Sequence, residues 1–347
     1  MSEIYLPLHS GDAPQWLLSR MKKLADKLVR LIILEYGETG FLKRISDPIF
    51  FQSFSNVLGF DWNSSGSTTV LTGVLKAVLN KPDFEIRVAG GKGANAIKTP
   101  EEIRKLAPEV NADAEKLIKF SRLSAKADNS ALIDNYTLYH HAIFFTARRF
   151  TVVQQGMNPE EKLARRYHWS VYEDIPGLKD VHSGIMSERI EKEVVNMISS
   201  KSEPAIKTSL DIIRDGSFRK DYEKLLSIIK RGNRIYVPRK IDWRAVEKAY
   251  QLQPENYEDL LLIRGIGRET IRALALISDL IYNNEYDRQD PAKYCFAVGG
   301  KDGVPFPVRR DVYDQVIEFL ADLLKQTDLG SFEKRMAFER LYRSFKK

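Results

Sequence analysis

The chain has 347 residues, with 54 Lys and Arg against 47 Asp and Glu, a net charge of +7. An apolar fraction of 43% with 29% charged residues excludes a disordered chain, and no run reaches the ~18 apolar residues of a membrane span. A single cysteine, Cys295, excludes an internal disulfide and a cysteine-rich zinc site. The opening MSEIYLPLHSGD has no basic region followed by an apolar run, so a cytoplasmic protein with no membrane partner is expected.

Apolar residues from Trp16 to Tyr36 recur at helical spacing, which predicts a long helix. A short helix over Pro48 to Leu58 follows. Ser67 or Thr68 is placed to cap the apolar segment Val70 to Leu79. FEIRVAGGKG reads as a strand entering a glycine turn, and Thr99-Pro100 opens another helix. Asp134 to Gln155 carries two β-branched and aromatic runs, which predict a β-hairpin. LARRYHW reads as a further strand. After Ile185 the spacing turns helical again, over Ser187 to Ser199 and Tyr222 to Ile229. Asp242 is placed to cap a helix from Trp243. The fold class expected is α+β. Residues 1–200 form a mixed part with a small antiparallel sheet, and residues 201–347 an all-helical part.

The sharpest local signal is LLLIRGIGRET, within residues 256–277. Gly265 and Gly267 flank Ile266 between two apolar helical segments. A tight turn there needs residues free of Cβ, and Ile266 would tie the turn to the core. The N–H groups opening the second helix would then face a phosphate, with Arg264 and Arg268 beside it. Upstream, residues 214–244 hold ten Lys and Arg against four acids. This pattern resembles the helix-hairpin-helix motif of DNA repair and recombination proteins. The resemblance implies binding to the backbone of double-stranded or branched DNA. Glycosylases with this motif carry an aspartate past the hairpin, and here Arg309 stands at that place. Asp311 is the nearest acid, and its structural alternative is to cap a helix from Val312.

Chemistry has several candidate seats. Asp128 and Asp134 precede a strand, and Gln154 and Gln155 end the hairpin. Together they suggest a phosphodiesterase site with Mg²⁺ or Mn²⁺ on Asp128 and Asp134. Arg165 and Arg166 alternate with Tyr167, His168 and Trp169, a pattern suited to phosphates and stacked bases. Ser64, Ser65, Ser67 and Thr68 form a hydroxyl-rich loop suited to phosphate. Lys92 and Lys301 each follow a Gly-Gly pair and are candidate DNA contacts. The five histidines lack metal-binding spacing.

Blocks along the chain resemble the DUF763 family of archaeal and bacterial proteins. They are Gly59-Phe60-Asp61-Trp62 with Ser64-Ser65-Gly66, Ala89-Gly90-Gly91-Lys92, Ser124-Ala125-Lys126 with Asp128-Asn129, and Val152 through Met157. They continue with Ala164 through Trp169 and Gly299 through Gly303 with Pro305 through Val308. The chain departs from the pattern at Asn63, where histidine is expected, and at Arg309, where aspartate is expected. The resemblance implies an intracellular protein tied to DNA transactions. A repair protein acting on damaged or distorted DNA is the expectation, with strand cleavage by a metal-dependent nuclease favoured. A DNA glycosylase or AP lyase using Asp311, and a non-enzymatic DNA-binding module, are the alternatives. Neither of these needs a cofactor.

Overall fold

The computed structural model describes residues 15–60, 65–229, 236–295, 310–327 and 330–343. Three helices come first: α1 (Gln15–Ile45), bent at Gly37, then α2 (Pro48–Leu58) and α3 (Ser65–Leu79). Next are β1 (Arg87–Lys92), α4 (Ala94–Ile97), α5 (Thr99–Leu106) and α6 (Ala114–Lys126). A π-helical turn, Ala127–Ala131, leads from α6 into β2 (Leu132–Ile133). The strands β3 (Thr137–Phe145), β4 (Phe150–Asn158), β5 (Leu163–Trp169), β6 (His182–Ser187) and β7 (Val195–Asn196) follow. Then come α7 (Glu203–Arg214), α8 (Phe218–Ile229), α9 (Trp243–Leu252), α10 (Tyr257–Leu262) and α11 (Arg268–Leu280). The last elements are β8 (Tyr294–Cys295), α12 (Arg310–Gln326) and α13 (Ser331–Arg343).

The main sheet runs β1-β3-β4-β5-β6-β8, antiparallel except for the parallel β6–β8 pair. β2 and β7 form a separate antiparallel pair. Alternate strand residues face opposite sides of a sheet, and here both sides are covered. Ile143, Phe145, Val152, Tyr167, Trp169 and Ile185 pack with α6, α7, α9, α10 and α11. Ala142, Phe144 and Val153 pack with α1, α2, α3, α12 and α13 on the other side. The α+β class is therefore built as three layers, helices–sheet–helices. Asp47 caps α2 by accepting from Ile49 and Phe50, and Gly59 ends it at φ 105°. Asp242 caps α9 through the Ala245 amide, as the sequence predicts.

Two expectations are corrected. Ser187 to Ser199 is not a helix: β6 ends there and β7 follows a turn. Val195 pairs with Ile133, and the Asn196 amide donates to Asp287 O at 3.0 Å. These distant partners overrule the helical spacing. The part after position 200 is also not wholly helical, because β8 joins the sheet beside β6. Both cores draw on residues from either side of position 200.

Candidate nucleic-acid interface

Residues 256–277 form two helices around a tight turn. The Asn256 side chain caps α10 by accepting from the Asp259 amide at 2.8 Å. The turn closes with Ile266 N donating to Ile263 O at 3.1 Å, and the Ile266 side chain is fully buried. Gly265 has φ +96°, a left-handed conformation that disfavours side chains. A Cβ there would lie 2.6 Å from Ala245 Cβ and 2.8 Å from Asp242 Oδ2. The fold thus demands glycine at 265 for two independent reasons.

Gly267 is different. Its φ of −135° and ψ of −170° suit any residue. A Cβ there would meet nothing closer than Gly265 O at 3.9 Å. It is the N-cap of α11 and supplies no side-chain cap. Serine, asparagine or aspartate would cap the helix better, by satisfying an amide at its N2 or N3 position. Among the described residues, no side chain caps those amides, at the positive end of the helix dipole.

The surroundings are basic. Arg264 is exposed, and so are Arg239, Lys240 and Arg244 around the start of α9, whose cap Asp242 adjoins Gly265. Among the described residues, none of these four cations forms an ion pair. Other members of the basic run serve the fold. Arg214 donates to Pro254 O and Glu255 O, and Arg219 lies over the Trp243 ring at 4.5 Å. Arg268, expected on a phosphate, turns inward to Asn129 O at 3.1 Å and to Tyr136 O. Lys126 donates to Ile266 O from the opposite side, and burial lowers its pKa. Lys126 and Arg268 thereby fasten the hairpin to the π-helical turn.

The residues read as catalytic sit elsewhere, in two polar rows crossing the sheet. One row is His141, Gln154, Tyr167 and Ile185, in register across β3 to β6. The Gln154 amide nitrogen donates to Asp128 Oδ2 at 2.6 Å and to Ser124 O at 3.1 Å. Its oxygen therefore faces His141 Nδ1, at 2.8 Å. That fixes a proton on Nδ1 of the neutral ring, so Nε2 accepts from Ser121 Oγ at 2.8 Å. Burial lowers the His141 pKa. Asp128 also accepts from Trp169 Nε1 at 2.9 Å and meets His182 Nε2 at 2.7 Å.

Asp134 accepts from Tyr167 OH at 2.7 Å, Arg165 at 3.0 Å and the Tyr136 amide at 3.1 Å. Burial raises its pKa against the pull of Arg165. Arg165 is fully buried and also grips Asp290 through both oxygens, at 3.0 and 2.7 Å. Burial opposes its charge, but Asp134 and Asp290 outweigh that and hold its pKa above the ordinary value.

The second row, on the other face, is Lys92, His140, Gln155, Arg166 and Met186. Thr68 donates to Gln155, which donates to Tyr139. Arg166 reaches Gln52 at 3.2 Å and Thr68 at 3.3 Å. Ser67 is buried and bonded to Gln52, so Ser67 and Thr68 turn their hydroxyls into the core.

Several of the expected roles are thereby corrected. Asp128, Asp134, Gln154 and Gln155 have 1% exposure or less and are committed to internal hydrogen bonds. Tyr167, His168 and Trp169 are 0% exposed, so they offer no face to a base. His168 bonds Ile45 O at 3.0 Å and meets Phe51 edge-on. Arg165 and Arg166 are equally enclosed. Among the described residues, no group of three His, Cys, Asp or Glu side chains is gathered for a metal ion. Lys92 is exposed at the end of β1. Asp311 lies in the first turn of α12 and Ser65 opens α3, but their side chains fall outside the described structure, as do Asp61, Asn63, Ser64, Lys301 and Arg309.

A family model described as "Protein of unknown function (DUF763)" matches residues 2–308. The chain belongs to this family. No curated protein and no solved structure matches it. Three of the DUF763 blocks that fall on described residues lie together. Ser124 through Asn129 form the end of α6 and the π-helical turn, Val152 through Met157 lie on β4, and Ala164 through Trp169 make β5. They supply Gln154 and Tyr167 of the first polar row, and Asp128 and Trp169 bonded beside it. Sequence reading missed Ser121, His182 and Asp290, which complete the buried networks from distant segments. No spacing signal connects them.

Proposed function

We propose that this DUF763 protein binds the DNA backbone through the α10–α11 turn, in a repair or related DNA transaction. One observation carries the reading: Gly267, a glycine that its own fold does not require, at an uncapped helix N-terminus. A missing Cβ at such a place lets a phosphate approach the bare amides of α11. Arg239, Lys240, Arg244 and Arg264 supply neighbouring positive charge. Contact through the backbone gives no sequence readout, which suits a protein that acts at damaged or branched sites. The reading assigns no catalytic step to Asp128 or Asp134, because both are hydrogen-bonded inside the core.

The test is duplex binding by fluorescence anisotropy at fixed salt. Gly267→Ala should weaken binding about tenfold while leaving the melting temperature unchanged. Arg264→Ala should reduce the log–log salt slope by about 0.9, the loss of one phosphate contact. Wild-type affinity in both variants would remove the hairpin from the interface.

A further inference from the structure

Among the exposed aromatic rings of the described residues, Tyr236 is the one bonded to the first turn of α11. It is 61% exposed, and its hydroxyl donates to Glu269 Oε2 at 3.3 Å. The Arg272 guanidinium lies 5.4 Å from the ring centroid, one helical turn after the turn's amides. Arg272 is itself half-buried. Tyr236 is thus held at both its edge and its face by α11, yet much of the ring is open to solvent. The chain after it is anchored. Pro238 O accepts from Tyr222, and Asp242 caps α9. The ring therefore joins the α11 N-terminus in space to the Arg239–Arg244 cations in the chain. Trp243, by contrast, packs against Phe218 and Tyr222.

We propose that Tyr236, backed by Arg272, is a stacking platform for an unpaired base next to the strand held at the α10–α11 turn. The ligand class is DNA with a gap, bulge or branch, preferred over fully paired duplex. A paired base has its faces covered by its neighbours, whereas an unpaired one exposes a π-face. The guanidinium behind the ring strengthens this arrangement through its attraction to the π-system. Glu269 is the acid facing this site. Its carboxylate accepts the Tyr236 hydroxyl, and it also opposes phosphate directly above it. This places the strand toward Gly267 and Arg264 instead. The proposal rests on the hairpin reading and adds the substrate preference to it.

The experiment compares the full chain with Tyr236→Leu and Tyr236→Phe on two DNAs of equal length. One is a matched duplex, and the other has a single unpaired 2-aminopurine. Wild-type protein should favour the bulged DNA and quench the 2-aminopurine. Tyr236→Leu should lose about tenfold of that preference, as expected for one base–aromatic stack, and should lose the quenching. Its affinity for matched duplex should stay within about twofold. Tyr236→Phe keeps the ring and should keep both effects. Preference and quenching retained in Tyr236→Leu would overturn the proposal. Equal wild-type affinity for both DNAs, with duplex binding still lost in Gly267→Ala, would overturn it while leaving the hairpin reading in place. No binding of either DNA by wild type would remove both.

Discussion

Arg165 shows how much of the polar character of this chain is spent on holding the sheet together. Its guanidinium sits between Asp134 and Asp290 without solvent contact. Removing one member of such a group leaves the others charged and unpaired. Arg165→Met should therefore cost about 3–5 kcal/mol, measured by chemical denaturation. A cost below about 1 kcal/mol would mean the acids are solvated or neutral without it. His140 makes a separate prediction. Burial lowers its pKa from 6.5 to about 3 in the folded chain. Below pH 6.5 the unfolded chain thus binds a proton that the folded one does not, so stability falls as pH falls. At pH 5 the loss from this one group is about 2 kcal/mol relative to pH 7. His141 and His168 shift in the same direction and add to it. His140→Gln should flatten the dependence of stability on pH between 7 and 5. A slope equal to wild type would show that His140 titrates with solvent access.

Residue patterns carried the side but not the depth. The alternation in ARRYHW put Tyr167 and Trp169 on one face, and so they are. Period-two spacing cannot say whether helices from elsewhere cover that face. Here α6 and α11 do, so aromatic and carboxylate residues that looked like a site are interior. The partners that fill their hydrogen bonds, His182 and Asp290, lie 54 and 125 residues away in the chain.

At the scale of elements, the two hairpin glycines separate cleanly. Gly265→Ala forces a side chain into a left-handed backbone and against Ala245, and should destabilise by about 1–3 kcal/mol. Gly267→Ala meets open space and an ordinary backbone, and should stay within about 0.5 kcal/mol of wild type. Denaturant titration of both variants checks this. Equal effects would contradict the turn geometry. The sequence made this hairpin legible because its cues are local: Asn256 as a cap, apolar spacing, and glycines about one isoleucine. It concealed that Lys126 and Arg268 fasten the turn to the π-helical turn, since both bonds span more than 130 residues. The same limit explains the region 187–199. There helical spacing yielded to β pairing with Ile133 and a backbone bond to Asp287.

The described residues form three layers, helices on both faces of the sheet. α12 and α13 return to pack on α2, while α7 through α11 cover the opposite face of the sheet. No helix among the described residues is long and apolar enough to cross a membrane. The α+β class was legible because the strand-rich and helix-rich stretches are locally distinct. The layering was not, because it depends on which faces meet. In this arrangement the buried networks rigidify the sheet, and the α10–α11 turn, tied to the π-helical turn, is the proposed seat for a phosphate. The amides of Arg268, Glu269 and Thr270, which open α11, are therefore the place to look. In a nitrogen–proton spectrum of the deuterated full chain, adding a short duplex should shift these amides, and a second duplex of unrelated sequence should shift them alike. Raising the salt concentration should reverse the shifts. Spectra in which these amides stay fixed, while the protein binds DNA through other residues or not at all, would contradict the assignment of the turn as a phosphate-binding site.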